Sequence, residues 1–330
     1  MGQGYSFIVP AFNDAGGLRR HLAYFSARPD PIQLVVVDDC STDDTAEVMA
    51  TAEVPENVEI TYHRMDVNAG PAAARNKGLE LALRDYVMFL DADDLLVPRF
   101  FDYIRLSPIA NGEVDFVFFK HHLATEDEAP YSYNMHAPDR RFFSRRVGGV
   151  PYPIFKLDER PGAPGTVNFP WNKLYRRDFL LESGIRFPNL RMHEDIAPHW
   201  QSFLRCRHFG VLYWAPPLIT HFETPGGSRA TNYVGTERLG VFDELRRLRH
   251  EIVEHPAARH LMPVFDSFRG DLFSWLTGPL CDAASEEGEM WRQKYQAEID
   301  ALREEEAQDA LSGNEAAWKA PHTAATEGQA

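Results

Sequence analysis

Tyr86-Val87-Met88-Phe89-Leu90-Asp91-Ala92-Asp93-Asp94 is the stretch that decides how this chain is read. Residues 86–90 are β-branched, aromatic or aliphatic and carry no charge, the signature of a buried strand. Carboxylates follow at once at 91, 93 and 94, and packing them in an apolar core would carry a large desolvation cost. They belong at the strand's carboxyl end, facing water, a cation or both. An Asp-x-Asp there suits a hard divalent ion such as Mg²⁺ or Mn²⁺, bound through one or two carboxylates with room left for phosphate oxygens. An acidic turn capping the next helix is the alternative reading.

Working outward, the first hundred residues alternate short apolar runs with helical patterns. Tyr5 to Val9 reads as a strand, and Leu18, Leu22 and Phe25 recur at helical spacing. Gln33 to Val37 is a second strand, followed by Ser41-Thr42-Asp43-Asp44, which resembles a capping box opening a helix through Met49. Val58 to Tyr62 is an edge strand. Gly70-Pro71 starts an Ala-rich helix to about Leu83, with proline at the position where its missing N–H does no harm. Such alternation implies a parallel sheet covered on both faces, with ligands gathering at the carboxyl ends of its strands. Asp38-Asp39 and Asp91-Ala92-Asp93 both fall at such ends.

Further on, Val114 to Lys120 is a strand, and residues 124–170 are rich in Pro, Gly, Arg and Tyr without periodicity, a functional excursion. Trp171 to Leu181 reads as strand then helix, Asp195 to Cys206 as helix, and Phe209 to Trp214 and Leu218 to His221 as short strands. A helical region begins near Tyr233 and ends near Arg303, and residues 304–330, rich in Ala, Glu, Gly and Thr, are expected to be a disordered tail. The expected divisions are therefore 1–230, 231–303 and 304–330. No internal repeat is present.

Composition narrows the class. The 330 residues carry 34 Lys+Arg against 49 Asp+Glu, a net charge of −15. A chain this acidic and without a basic tract is a poor ligand for nucleic acid or anionic membranes, so any phosphate-bearing ligand needs a metal, an arginine or helix amides. Cys40, Cys206 and Cys281 are widely spaced, which argues against a disulfide framework or structural zinc. There is no membrane-length apolar run and no signal-peptide pattern. The expectation is a cytoplasmic protein, with peripheral attachment at the inner face of the membrane as a variant.

Four segments in order resemble the inverting family-2 glycosyltransferases, whose nucleotide-sugar-binding fold is called GT-A. They are Ser6-Phe7-Ile8-Val9-Pro10-Ala11-Phe12-Asn13; Val35-Val36-Val37-Asp38-Asp39-Cys40-Ser41-Thr42-Asp43; Asn68-Ala69-Gly70-Pro71 through Arg75-Asn76-Lys77-Gly78-Leu79 and on into the acidic motif; and Trp171-Asn172-Lys173-Leu174-Tyr175-Arg176-Arg177 followed by His193-Glu194-Asp195. The resemblance covers roughly residues 5–225. Phe12 stands where the family usually has Tyr, Cys40 where it has Gly, and Ala69-Gly70-Pro71 where it has a Gly-Gly run.

The resemblance implies an α/β fold with a mostly parallel central sheet and a C-terminal helical extension. It implies a sugar moved from a nucleoside-diphosphate donor, UDP being expected, to an acceptor hydroxyl with inversion, in bacterial surface polysaccharide or glycoconjugate synthesis. Pro10, Phe12 and Asn13 would floor the nucleoside, Asp39 would accept from the base's N–H, and Arg75 would face base or phosphates, with a structurally paired Arg75 as the alternative. Asp91 would face the ribose and Asp93 the divalent metal, Mn²⁺ or Mg²⁺, that neutralises the leaving diphosphate. Asp195 would be the base that takes the acceptor's proton, with Glu194 beside it; both acids opening a helix is the competing account. Trp171 is either a sugar-stacking wall or core. His221 is a further metal ligand or a structural hydrogen-bonder, and Arg229, beside Gly226-Gly227, would pair with phosphate from a lid. The acceptor is a saccharide or lipid-linked saccharide, nucleic acid is excluded as a partner, and the C-terminal helices either meet a membrane or partner subunit or serve as plain support.

Two other readings compete. Asp-x-Asp also occurs in haloacid-dehalogenase-type phosphatases, but there it closes the first strand and is followed by Thr or Val, whereas here it ends the fourth and Leu95 follows Asp94. A non-catalytic nucleotide-binding scaffold on the same fold is the other; loss of Asp93 or Asp195 would favour it, and both are present.

Overall fold

The computed structural model describes residues 4–124, 134–144, 149–222, 233–255, 257–281 and 285–312. Strand β1 (Tyr5–Ala11) leads to helix α1 (Ala15–Ser26), β2 (Ile32–Asp38) to α2 (Thr45–Ala50), and β3 (Val58–Arg64) to α3 (Pro71–Leu81) and then β4 (Tyr86–Phe89). There follow β5 (Leu95–Leu96), α4 (Phe100–Arg105), β6 (Phe116–Phe118), β7 (His121–Ala124), α5 (Ala137–Ser144), β8 (Ile154–Phe155), β9 (Lys173–Arg176), α6 (Arg177–Glu182), α7 (Ile196–Arg205), β10 (Phe209–Val211) and β11 (Ile219–Phe222). Helices α8 (Gly240–Glu254), α9 (Met262–Thr277) and α10 (Glu286–Ser312) complete the described chain. Its contacts divide it into two compact units between Val241 and Phe242.

The first unit is built on an eight-stranded sheet ordered β3-β2-β1-β4-β9-β6-β10-β8. Strands β3, β2, β1 and β4 are parallel, β9 runs antiparallel to both β4 and β6, and β10 is parallel to β6. The carboxyl ends of β1, β2, β4, β6 and β10 therefore open on one edge, which the amino end of β9 joins. Leu34 and Val36 pack into the core on one face of β2, and Val35 and Val37 into the core on the other. That two-sided burial is why the strand is an unbroken apolar run. Small residues let α3 lie close: a Cβ on Gly78 would sit 2.2 Å from Cγ2 of Ile8.

A second sheet, β5-β11-β7, has three short strands. It begins directly after the acidic motif, because β5 starts at Leu95. The expected strand 114–120 contains β6 alone, in the large sheet, and β7, of the small sheet, follows just beyond it at His121–Ala124. The excursion holds α5 and β8. The capping box expected at residues 41–44 does not form: Asp44 makes no side-chain cap bond, and the Ser41 hydroxyl instead accepts the Asn13 N–H at 2.9 Å. The final helix runs past Arg303 to Ser312, so the expected tail begins with helical residues. Among the described residues no helix is long and apolar enough to cross a membrane.

Candidate active site

Five loops meet at the carboxyl edge of the large sheet. After β1, Phe12 is 52% exposed, so it is not core, and Pro10 is half-buried beside it. Asn13 is left-handed at φ 54°, and its Oδ1 accepts the Thr42 N–H at 2.7 Å, tying this loop to the one after β2. There Asp38 is fully engaged, accepting from the Ser41 N–H at 2.7 Å, the Tyr62 hydroxyl at 2.7 Å and Arg64 at 2.6 Å. Its neighbour Asp39 is buried and accepts the N–H groups of Ala69 at 2.7 Å and Gly70 at 2.8 Å. Each of its oxygens keeps a further lone pair. Cys40 sits at φ 67°, a left-handed conformation that a residue with a Cβ adopts at a cost and glycine adopts freely. That is the physical reason a glycine suits this position.

After β4, carboxylate oxygens of Asp91, Asp93 and Asp94 lie within 4.8 Å of one another. Asp94 is completely buried and its Oδ2 has no hydrogen-bond partner. A buried, unsatisfied carboxylate oxygen beside two more acids is costly as it stands and fits a hard cation. Helix α1 holds this loop from beneath. A Cβ on Gly17 would lie 2.1 Å from the Ala92 carbonyl oxygen, so only glycine permits the approach. One turn on, His21 Nε2 lies 3.1 Å from the Asp91 carbonyl oxygen, and burial lowers its pKa to about 4. The imidazole is therefore neutral and donates to that carbonyl. Neither residue was singled out from sequence; the Gly16-Gly17 pair inside a helical pattern was the available signal.

Arg75 departs from the donor-facing expectation. It is buried, with Nη1 donating to Glu194 at 2.6 Å and Nη2 to Asp91 at 2.7 Å. Burial opposes its charge, but the two carboxylates outweigh that and raise its pKa. The structurally paired alternative is therefore the observed one: Arg75 bridges the β4 end to the acids before α7. His193, at φ 62°, turns the chain into Glu194-Asp195, and its Nε2 lies 2.9 Å from Arg238. Asp195 stands at the N-terminal cap position of α7 but makes no side-chain cap bond there, so its carboxylate is not tied to the helix's first N–H groups. It keeps partial solvent access, yet burial, reinforced by the charge of Glu194, raises its pKa to about 7. A carboxyl with that affinity accepts a proton well at neutral pH.

One expectation, a sugar-facing Trp171, is corrected. Trp171 is 0% exposed, stacked on Phe169 at 4.7 Å and His221 at 5.1 Å, which leaves no face for a sugar; it is core. His221 Nδ1 is held by Asp94 Oδ1 at 2.7 Å, and the histidine is not among the cluster of ligand atoms within 4.8 Å. Its hydrogen bond to Asp94, rather than a shared place in the cluster, is what the structure shows. Burial opposes its charge, but the adjacent carboxylate prevails and raises its pKa to about 9. Arg229 lies outside the described residues.

An open α/β sheet with a strand-end acidic cluster and a second acid pair facing it is the architecture of GT-A glycosyltransferases. Residues 6–184 match the sequence pattern described as Glycosyl transferase family 2, and the chain belongs to that family. Succinoglycan biosynthesis protein ExoU of Rhizobium meliloti (strain 1021) is 31% identical over 212 residues, 62% of this chain and 58% of that protein. The chain spans about three-fifths of the length of the curated relatives it matches first. Among solved structures, S. aureus TarS 1-349 in complex with UDP-GlcNAc aligns with a TM-score of 0.70 over 92% of this chain and 82% of that one, at 21% identity. Mannosyltransferase PcManGT from Pyrobaculum calidifontis, in complex with GDP-Man and Mn²⁺, gives 0.52 over 94% of this chain and 88% of that one, at 18% identity. Both are likenesses of fold.

Proposed function

We propose that this chain transfers a sugar, with inversion, from a nucleoside-diphosphate donor to an acceptor hydroxyl during synthesis of a bacterial surface polysaccharide or glycoconjugate. The observation that carries the reading is the span from Asp91 through Arg75 to Glu194-Asp195, which sets a donor-side acid cluster and a proton acceptor a guanidinium apart. The nucleoside lies over Phe12, with Asp39 at its base. Asp93, with Asp91 and Asp94, would hold a divalent cation whose charge stabilises the departing diphosphate. Asp195 accepts the proton of the acceptor hydroxyl as that oxygen forms its bond to the anomeric carbon. The bond from that carbon to the phosphate oxygen breaks on the opposite face, and its electron pair leaves with the diphosphate. UDP is supported as the nucleotide by the likeness to TarS, whose complex holds UDP-GlcNAc, and a cation by the Mn²⁺ complex of PcManGT.

Thermal-shift measurements with a panel of nucleotide sugars, with and without Mn²⁺, test this, because a ligand bound only by the native state raises the melting temperature. A cation-dependent rise with one donor is expected. Asp93→Asn should abolish it, whereas Asp195→Asn should keep it and lose transfer. Equal donor binding by the unaltered chain and Asp93→Asn would contradict the assignment.

A further inference from the structure

The tryptophan placed for a sugar to stack on is Trp214. It is 54% exposed, while its neighbours Tyr213 and Ala215 are each 1% exposed. The loop that carries it is stiff. The ammonium of Lys120, at the end of β6, donates to the carbonyl of Tyr213 at 2.6 Å and to that of Ala215 at 3.0 Å. The Leu212 N–H donates to Phe118 at 3.0 Å, Tyr213 packs on Phe142 and Phe143 of α5, and Pro216-Pro217 follow. An indole held out of the core by fixed backbone on both sides loses the stabilisation that burial would bring. Rigid aromatic side chains of this kind are the usual anchors of binding sites, since few rotamers need to be frozen.

Its position names the occupant. Trp214 follows β10, whose carboxyl end opens on the same edge as that of β4. The strand order β4-β9-β6-β10 sets it roughly 14 Å across the sheet from the acidic motif, at the usual strand spacing. Its neighbour Tyr213 packs on α5 of the 124–170 excursion, and Val150, 50% exposed, lies in the segment entering β8, which pairs with β10.

We propose that Trp214 is the platform of an acceptor subsite that takes a saccharide unit beyond the one being joined, so that the acceptor is an oligosaccharide of at least two rings. This rests on the glycosyl-transfer reading above. The polarised C–H face of a sugar ring complements the electron-rich face of an indole. A single indole between buried neighbours is small for a protein partner, whose interface needs about 1,000 Å². A net charge of −15 disfavours an anionic lipid surface.

The test uses the full chain, Trp214→Ala and Trp214→Phe on an array of immobilised bacterial polysaccharide fragments from one to five sugars, alongside the thermal shift given by UDP with Mn²⁺. The unaltered chain should capture fragments of two or more sugars. Trp214→Ala should capture them about tenfold more weakly, Trp214→Phe should keep most of the capture, and the nucleotide shift should be equal in all three. Equal capture by the unaltered chain and Trp214→Ala, or capture by none, with the nucleotide shift intact, overturns the subsite alone. Absence of the nucleotide shift from all three overturns the donor reading and the subsite with it. A change of mass in light scattering for Trp214→Ala, or its selective loss of binding to phosphatidylglycerol vesicles, assigns the indole to a second copy or a membrane and equally overturns the proposal.

Discussion

Asp195 and Glu194 are adjacent acids, and only Glu194 is hydrogen-bonded by Arg75. Arg75 neutralises Glu194 directly, while burial and the charge beside it raise Asp195 to about 7. The sign of the pH dependence follows. A base must be unprotonated, so transfer is expected to fall as pH drops below about 7 and to level off above it, read from initial rates at saturating donor. Stability runs the other way. A carboxyl whose folded pKa exceeds its unfolded value contributes stability below the unfolded value and loses it as pH rises through the folded one. Asp195→Asn should therefore melt higher than the unaltered chain at pH 8 while transferring nothing, and the two proteins should converge near pH 4 in a calorimeter. Cys40 gives a second residue-scale prediction. At φ 67° it carries a penalty that glycine does not, offset in part by glycine's freer unfolded chain. Cys40→Gly should gain about 1 kcal/mol in urea unfolding; a loss would show that the thiol's contact with the Asp66 carbonyl, at 3.8 Å, outweighs the strain.

At the scale of elements, the acidic loop is as much a product of α1 as of β4. Gly17 makes room for the Ala92 carbonyl, and His21 holds the carbonyl before it. Gly17→Ala should cost about 1–3 kcal/mol by overpacking and should reduce the Mn²⁺-dependent donor shift more than its stability loss accounts for, since the added methyl displaces the middle of Asp91-Ala92-Asp93. This dependence on partners far along the chain separates what the sequence discloses from what it conceals. The run Tyr86 to Leu90 announced its strand and its carboxylates because both signals are local. The pairing of Arg75 with Glu194, 119 residues away, leaves no local trace, and a base-facing and a twice-paired arginine look alike in a string of letters. The small sheet was hidden for a similar reason: β5 has two residues, and its partner β11 lies more than a hundred positions on. Trp171 and Trp214 show the same limit, since each follows or precedes a strand and only the folded core decides which indole is enclosed.

Over the whole molecule, charge is distributed unevenly in its effects. The C-terminal unit joins its helices with arginines that are themselves largely buried. Arg246 of α8 donates to Glu305 of α10 at 2.7 Å, and Arg249 and Arg269 both reach Glu306. Truncating the chain after Arg303, compared with truncating it after Ser312, would remove Glu305, Glu306 and Asp309 and strand these cations. The shorter protein should show a lower or broader melting transition in calorimetry, and unchanged melting would show that the ion pairs are marginal, as exposed ones usually are. The bridging guanidinium has a consequence of its own. One positive charge shared by two acids is a balance: whatever newcomer draws Asp91 away leaves Arg75 to lean harder on Glu194, and whatever disturbs Glu194 is felt at Asp91. On the transfer reading proposed above, a guest in one half of the cleft is expected to alter affinity in the other, and because linkage is reciprocal the two effects are equal.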